Sequence, residues 1–496
     1  MRKLRALIGV PIILMVWAGV SQSQKWTALK HQPSFPVGAI ALLTDGTVLL
    51  HEEQDGSPQN WYKLTPDNTG SYINGTITKI ASLPSGYGPF YFASVVLPDG
   101  RYIIEGGEYN DGIPDRTTKG AIYDPADNTW ISVTPPAGWN YIGDSPSAVL
   151  PDGTYLQSDC CDWGPNAALF NAKTFTWTAT GSGKFDLYAE EGITLLPGGN
   201  LLDVDTYAFV YDATGMNSEI YDTRAGTWSS AGSTVVQLWD SAAKCGGQSR
   251  ATYELGPAVL RPDGTVFQTG ANSCGGANTA IYDTSTRTWR AGPTFPGAFD
   301  IADGPGALET NGKVLVMASP GIGEVGSVFF EWDGTNLTKI SGPPNAPGDA
   351  SFYGHFLELP SGQLLFTDLS SDLEVFTPKG KYRNAWRPKV TNVSATLIRG
   401  TTYKLKGKQL NGLSQGAAYG DDFQDATNYP LVRITNKATG HISYCKTHNH
   451  STMGVATRDA IVSTKFDVQT GVETGESTLE VIANGIPSTG VAVTVR

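Results

Sequence analysis

The sequence predicts an all-β protein, a seven-bladed β-propeller followed by a β-sandwich. Three observations carry that prediction. The first is a recurring turn. In residues 94–107 a short apolar run meets Pro98-Asp99-Gly100, and a second apolar run meets Gly106-Gly107, the pattern of a β-hairpin. Its turn glycine returns as Gly46, Gly100, Gly153, Gly199, Gly264, Gly312 and Gly362, at intervals of about fifty residues. The second is composition. With 58 Gly, 12 Trp and 21 Tyr against 17% charged residues, the chain suits a turn-rich, aromatic-rich β architecture. No stretch carries the period of a long amphipathic helix. The third is that the hairpin pattern stops at Arg387 and gives way to plain alternation.

Taken in order, the chain opens with Arg2, Lys3 and Arg5, an apolar run over 6–20, and the small residues Ser21 and Ser23. That is the pattern of a secretion signal, assigned to residues 1–24. The mature chain is then expected to be secreted or periplasmic, in an oxidising space, with no stable membrane association after signal cleavage. Residues 25–386 are assigned to the propeller. A unit of four strands and about fifty residues is that of the kelch type. Its third strands read like Ala121-Ile-Tyr-Asp and Ala280-Ile-Tyr-Asp, and its fourth strands like Thr129-Trp130, Thr176-Trp177, Thr227-Trp228 and Thr288-Trp289. The last unit lacks a fourth strand of its own, so Trp26 is expected to supply it and close the ring. Residues 387–496 alternate over 402–406, 430–434, 478–482 and 491–495, which reads as an Ig-like sandwich of the early-set type. The Gly/Asp/Asn-rich run 411–428 is too long for a simple turn and is either functional or mobile.

A net charge of −12 and a pI of about 5.0 exclude nucleic acid and anionic membrane as partners. They suit polysaccharide or an extracellular protein, bound by a monomer. Of the five cysteines, Cys245 and Cys274 flank one repeat and are expected to pair. Cys160 and Cys161 are adjacent and pair either with each other or elsewhere, and spacing does not decide it.

The position nine before each turn glycine, at the start of a first strand, is where two propeller ligands fall in the galactose oxidase and glyoxal oxidase family, which this architecture resembles. That position reads Val37, Tyr91, Asp144, Glu190, Leu255, Asp303 and Tyr353. First strands crowd around the axis of a propeller, so Tyr91, Asp144, Glu190, Asp303 and Tyr353 are the expected binding residues, with Glu191 and Glu254 beside them. Glu52, Glu105, Asp159, Asp203 and Asp368 are expected at the other mouth.

A secreted kelch propeller followed by a sandwich that begins Arg387-Pro-Lys-Val resembles the galactose oxidase and glyoxal oxidase family. The resemblance implies one copper held by two tyrosines and two histidines. One of those tyrosines is cross-linked to a cysteine and carries a radical, and one histidine arrives on a loop of the C-terminal domain. Residue by residue the match is thin. Asp144 stands where the radical tyrosine would, and Tyr91 where the cysteine would. Phe352-Tyr353 stands for a Tyr-His pair, with His355 two residues on, and His448 with His450 stands for the loop ligand. The chain thus resembles the family without its tyrosine–cysteine radical residues.

Three readings of the ring remain. His355, His448 and His450 with carboxylates would form a metal centre, for copper or another divalent ion, in an oxidoreductase acting on alcohols or aldehydes. Carboxylates and tyrosines alone would bind carbohydrate. Polar residues at strand starts would otherwise only cap backbone amides. Binding of carbohydrate or protein through the propeller mouth is the expected function. Whether the chain is an enzyme stays open, and no cofactor is assigned.

Overall fold

The computed structural model describes residues 24–496 apart from 55, 57, 163, 208–214 and 242–250. The expected signal segment and Cys245 lie outside the described residues. Among these, helix is confined to three single 3-10 turns, and everything else regular is strand. No described helix is long and apolar enough to cross a membrane.

Seven antiparallel sheets follow one another along the chain, each with its strands side by side in chain order. Their first strands are Val37–Leu42, Ala93–Val96, Ser147–Val149, Thr194–Leu195, Leu255–Leu260, Gly306–Leu308 and His355–Glu358. First strands touch their neighbours, the third against the second and the seventh against both the sixth and the first. The sheets are consistent with a propeller. The seventh is completed by Lys25–Ala28, whose Trp26 pairs with Phe376, so the two ends of the repeat region share one sheet. Trp26 packs edge-on to Phe329 at 5.0 Å and donates its indole N–H to the Ser341 carbonyl at 2.7 Å.

The recurrent Thr-Trp strands pair as their sequence implies. Trp130 faces Tyr123, Trp177 faces Phe170, Trp228 faces Tyr221 and Trp289 faces Tyr282. Ring centroids are about 5 Å apart (4.8 to 5.3 Å). Such cross-strand aromatic pairs are the unit of sheet stabilisation, on the order of 0.2–1 kcal/mol each.

After Trp386 the chain forms two more sheets. One joins Lys389–Asn392, Thr401–Lys408, Ile461–Val468 and Thr447–His448; the other is built on Leu431–Asn436, Gly475–Ala483 and Val491–Val495. Leu405 and Phe466 from the first meet Val432, Leu479 and Val493 from the second in one buried cluster, as in a sandwich. The free cysteine Cys445 is part of this core.

Candidate functional site: an acidic cavity closed by the C-terminal loop

Segment 411–428 leaves the second half of the molecule and enters the first. Its strand Ala417–Ala418 adds to the edge of the sixth sheet, pairing with Gly306 and Ala307. Gln415 Oε1 accepts the Leu195 N–H at 2.7 Å, the Tyr419 hydroxyl donates to the Phe352 carbonyl at 2.7 Å, and Phe423 bridges Ser94. The segment thus touches the second, fourth, sixth and seventh sheets. Two glycines make the entry possible. A Cβ on Gly192 would strike the Gly420 carbonyl, and one on Gly420 would sit 2.7 Å from Asp303 Oδ1. The run flagged as functional or mobile is ordered by these ties, and nearly all of it is buried.

Between this segment and the first-strand starts lies a cavity of about 270 Å³. Asp144, Glu190, Glu254 and Asp303 enter it from the sheets, Asp421 and Asp422 from the segment, and Glu108 from beside a small hairpin. Tyr91, Tyr109 and Tyr419 add ring faces. The backbone is held in the left-handed region at Tyr91 (φ 51°), Glu190 (φ 57°) and Asp303 (φ 49°). Side chains other than glycine rarely adopt it, and such strain gathers at functional sites. Gly143, φ 68°, does the same service before Asp144 and leaves room for the Cys160–Cys161 disulfide against it.

Burial pushes every one of these carboxyls above the ordinary range, and mutual repulsion adds to it for Asp144, Glu190, Glu254, Asp303 and Asp422. Burial brings Asp421 to about 7. Arg116 acts in the other direction on Glu108 and Asp144. One carboxylate oxygen each from Asp144, Glu190 and Asp421 lie within 4.8 Å of one another.

Of the expected binding residues, Tyr91, Asp144, Glu190 and Asp303 meet here, and Tyr353 is not in the lining. The 3-10 turn Ser351–Tyr353 breaks strand alternation just there, and Phe352 takes the place instead. Glu254 lines the cavity, but Glu191 turns the other way. It belongs to a buried network in which Lys184 Nζ sits 2.6 Å from Asp186, 3.0 Å from Asp205 and Glu219, 3.1 Å from Glu191 and 3.5 Å from Asp203.

The three expected metal-binding histidines do not converge. His355 is enclosed by Tyr419 and Phe423, with Asp425 at 3.8 Å. His448 Nε2 lies 3.2 Å from Asp467, and His450 Nδ1 contacts Thr464 at 2.9 Å. Among the described residues, no group of convergent ligand atoms includes a histidine. The cause is the path of the chain. Residues 447–453 bond to the carbonyls of Thr44, Pro98 and Pro151, at the far ends of the first strands. The segment that reaches the cavity is 411–428, and it brings aspartates.

Glu52, Glu105 and Asp203 are not at another mouth. Second strands run back beside the first, so Glu52 pairs opposite Val37 and Glu105 opposite Ala93. Asp159 accepts the N–H of Cys161 and Asp162. Cys274 is disulfide-bonded; its expected partner Cys245 lies outside the described residues. Arg433 pairs with Glu480 at 2.6 Å, away from the strand-start carboxylates.

Sequence reasoning missed Glu108, Tyr109, Tyr419, Asp421 and Asp422. The one signal for the last three was the unexplained Gly/Asp-rich run.

No protein-family model matches the chain, and no curated protein matches its sequence. Many solved structures share its shape. One is a fungal alcohol oxidase of the AA5 family in complex with copper, with a TM-score of 0.53 and 14% identity over 95% of this chain and 99% of that one. Another is the extracellular domain of a hybrid two-component system from B. thetaiotaomicron, at a TM-score of 0.46 and 8% identity over 96% and 59%. The first likeness is one of fold. The copper-radical set does not fit the residues present. No imidazole or thiol lines the cavity among the described residues, and the free Cys445 is buried in the sandwich core.

Proposed function

We propose that the protein is a carbohydrate-binding module that takes a neutral polyhydroxylated ligand into the acidic cavity. On this reading residues 25–386 are a seven-bladed kelch propeller, residues 387–496 an Ig-like sandwich, and the mature chain a secreted monomer freed of residues 1–24. The carrying observation is the lining, with seven carboxylates and three tyrosines around one cavity. Carboxyl oxygens accept hydrogen bonds from hydroxyls in either protonation state, and tyrosine rings stack on the apolar face of a sugar. Tyr91 and Tyr109 meet edge to face at 6.2 Å, so one ring can be offered flat while the other walls it. The excess of negative charge disfavours uronates and sulfated sugars.

A copper oxidase is the rival reading, and its support is the fold shared with the AA5 oxidase. The residues present argue against it.

The test is a glycan array with the mature protein, in parallel with Asp303→Asn and Tyr109→Ala. Binding to neutral glycans that falls at least about tenfold in either variant is expected, a loss of about 1.4 kcal/mol. Absence of glycan binding, or binding indifferent to both substitutions, would overturn the reading. Alcohol oxidation with stoichiometric copper would establish the rival.

A further inference from the structure

We infer that the cavity holds a hard divalent cation of the calcium class, bound by one carboxylate oxygen each from Asp144, Glu190 and Asp421. This deepens the binding reading and rests on it for the cavity's being a ligand site. The three oxygens lie within 4.8 Å of one another. A calcium ion reaches oxygen ligands at about 2.3–2.6 Å, so oxygens that far apart fit on one coordination sphere. They come from the approach to the third sheet, the approach to the fourth, and the inserted segment. The donor set is oxygen alone, which selects hard cations over zinc or copper. Among the described residues, the sulfurs near Asp144 are those of Cys160 and Cys161, and they are joined in a disulfide.

Asp422 supplies a second, independent observation. Its side chain is 1% exposed and lines the cavity. Oδ1 accepts the Phe423 N–H at 2.6 Å, while Oδ2 has no partner. Buried carboxylate oxygens are costly unless a proton donor or a cation meets them. Among the described residues, none of the cavity carboxylates lies within 4.0 Å of a lysine or arginine nitrogen: the ion pairs are all elsewhere. Three protein oxygens leave open several of the six to eight positions that calcium fills. Those positions face the cavity, where adjacent hydroxyls of a sugar would take them.

The experiment is a titration of chelator-treated mature protein with calcium chloride by calorimetry, and with terbium by sensitised luminescence, the donors being Tyr91, Tyr109 and Tyr419. One saturable site is expected, with a calcium-dependent rise in melting temperature. Asp421→Asn and Glu190→Gln should each weaken it at least about tenfold. Circular dichroism reports whether each variant folds, and either one that does decides the question. No saturable binding up to about 10 mM, beyond the weakest extracellular calcium sites, would overturn the inference. So would binding that survives both substitutions. The glycan array repeated with calcium and with chelator separates this inference from the reading it rests on. Calcium bound without any glycan leaves the ion site and removes the carbohydrate reading. Glycan bound equally in chelator does the opposite.

Discussion

Two acidic centres stand back to back at Glu190 and Glu191, and they solve the same problem differently. Glu191 faces Lys184, whose side chain is fully buried with five carboxylates within 3.5 Å. Tyr188 and Trp228 lie over the ammonium at 5.4 and 5.5 Å. Glu190 faces the cavity, where carboxylates gather with no such cation among the described residues. The first centre carries its own counter-charge and is sealed. The second has oxygen ligands left over and an opening. A cluster of acids is therefore not a site by composition. What separates structure from function here is whether the chain supplies the positive charge itself.

Removing that charge gives the largest expected effect. Lys184→Met leaves five buried carboxylates with no cation and should cost about 3–5 kcal/mol, because a broken buried pair strands the remaining charge. Chemical denaturation of the variant measures it. A loss near zero would mean that the carboxyls are already protonated and that the two centres are alike.

Next in size is the response to pH. Burial holds Asp186 and Glu219 at about 7, even with Lys184 pulling them down. Unfolded carboxyls titrate near ~4, so the folded state binds protons that the unfolded state has lost. This stabilisation is complete below about pH 4 and is lost as pH rises through about 7. In chelator, the melting temperature should fall by several degrees between pH 5 and pH 8. The cavity carboxyls tilt the curve the same way, and added calcium should flatten only their share. A melting temperature that climbs over that range would contradict the assignment.

The smallest effect separates the centres most cleanly. Asp303→Asn removes one of several repelling charges from the cavity, so without calcium the variant should be about 0.5–1 kcal/mol more stable than the native protein while binding glycan less well. The same exchange in the sealed network, Asp186→Asn, should destabilise, since it removes a 2.6 Å partner of Lys184. If both substitutions stabilise, the distinction between the centres fails.

The fold was legible because its signal is local. Each turn glycine lies within a few residues of the strands it joins, and the register counted back from it picked out Tyr91, Asp144, Glu190 and Asp303, which line one cavity. Counting failed at Tyr353, where one 3-10 turn changed the phase. It failed more broadly for Asp421 and Asp422, whose neighbours in space lie more than a hundred residues away in sequence. Nothing in residues 411–428 names the sheet they will join. His448 and His450 misled for the same reason: the resemblance set them on a loop entering the propeller, whereas His448 ends the short strand Thr447–His448 and the stretch bonds to the far ends of the first strands. Lys184 carried no pattern at all, because a lysine between two sheets looks like any other surface charge until five carboxylates close around it.

The inserted segment also fixes when the protein becomes competent during its own biosynthesis. Every strand of the seven sheets apart from the added pair Ala417–Ala418 has been made by residue 377. Asp421, Asp422 and Tyr419 arrive only afterwards. A nascent chain halted between those points holds all the seven-sheet strands but lacks Asp421, one of the three proposed cation ligands. Occupancy of the cavity would then certify that translation ran to completion, and a truncated product would be an empty shell.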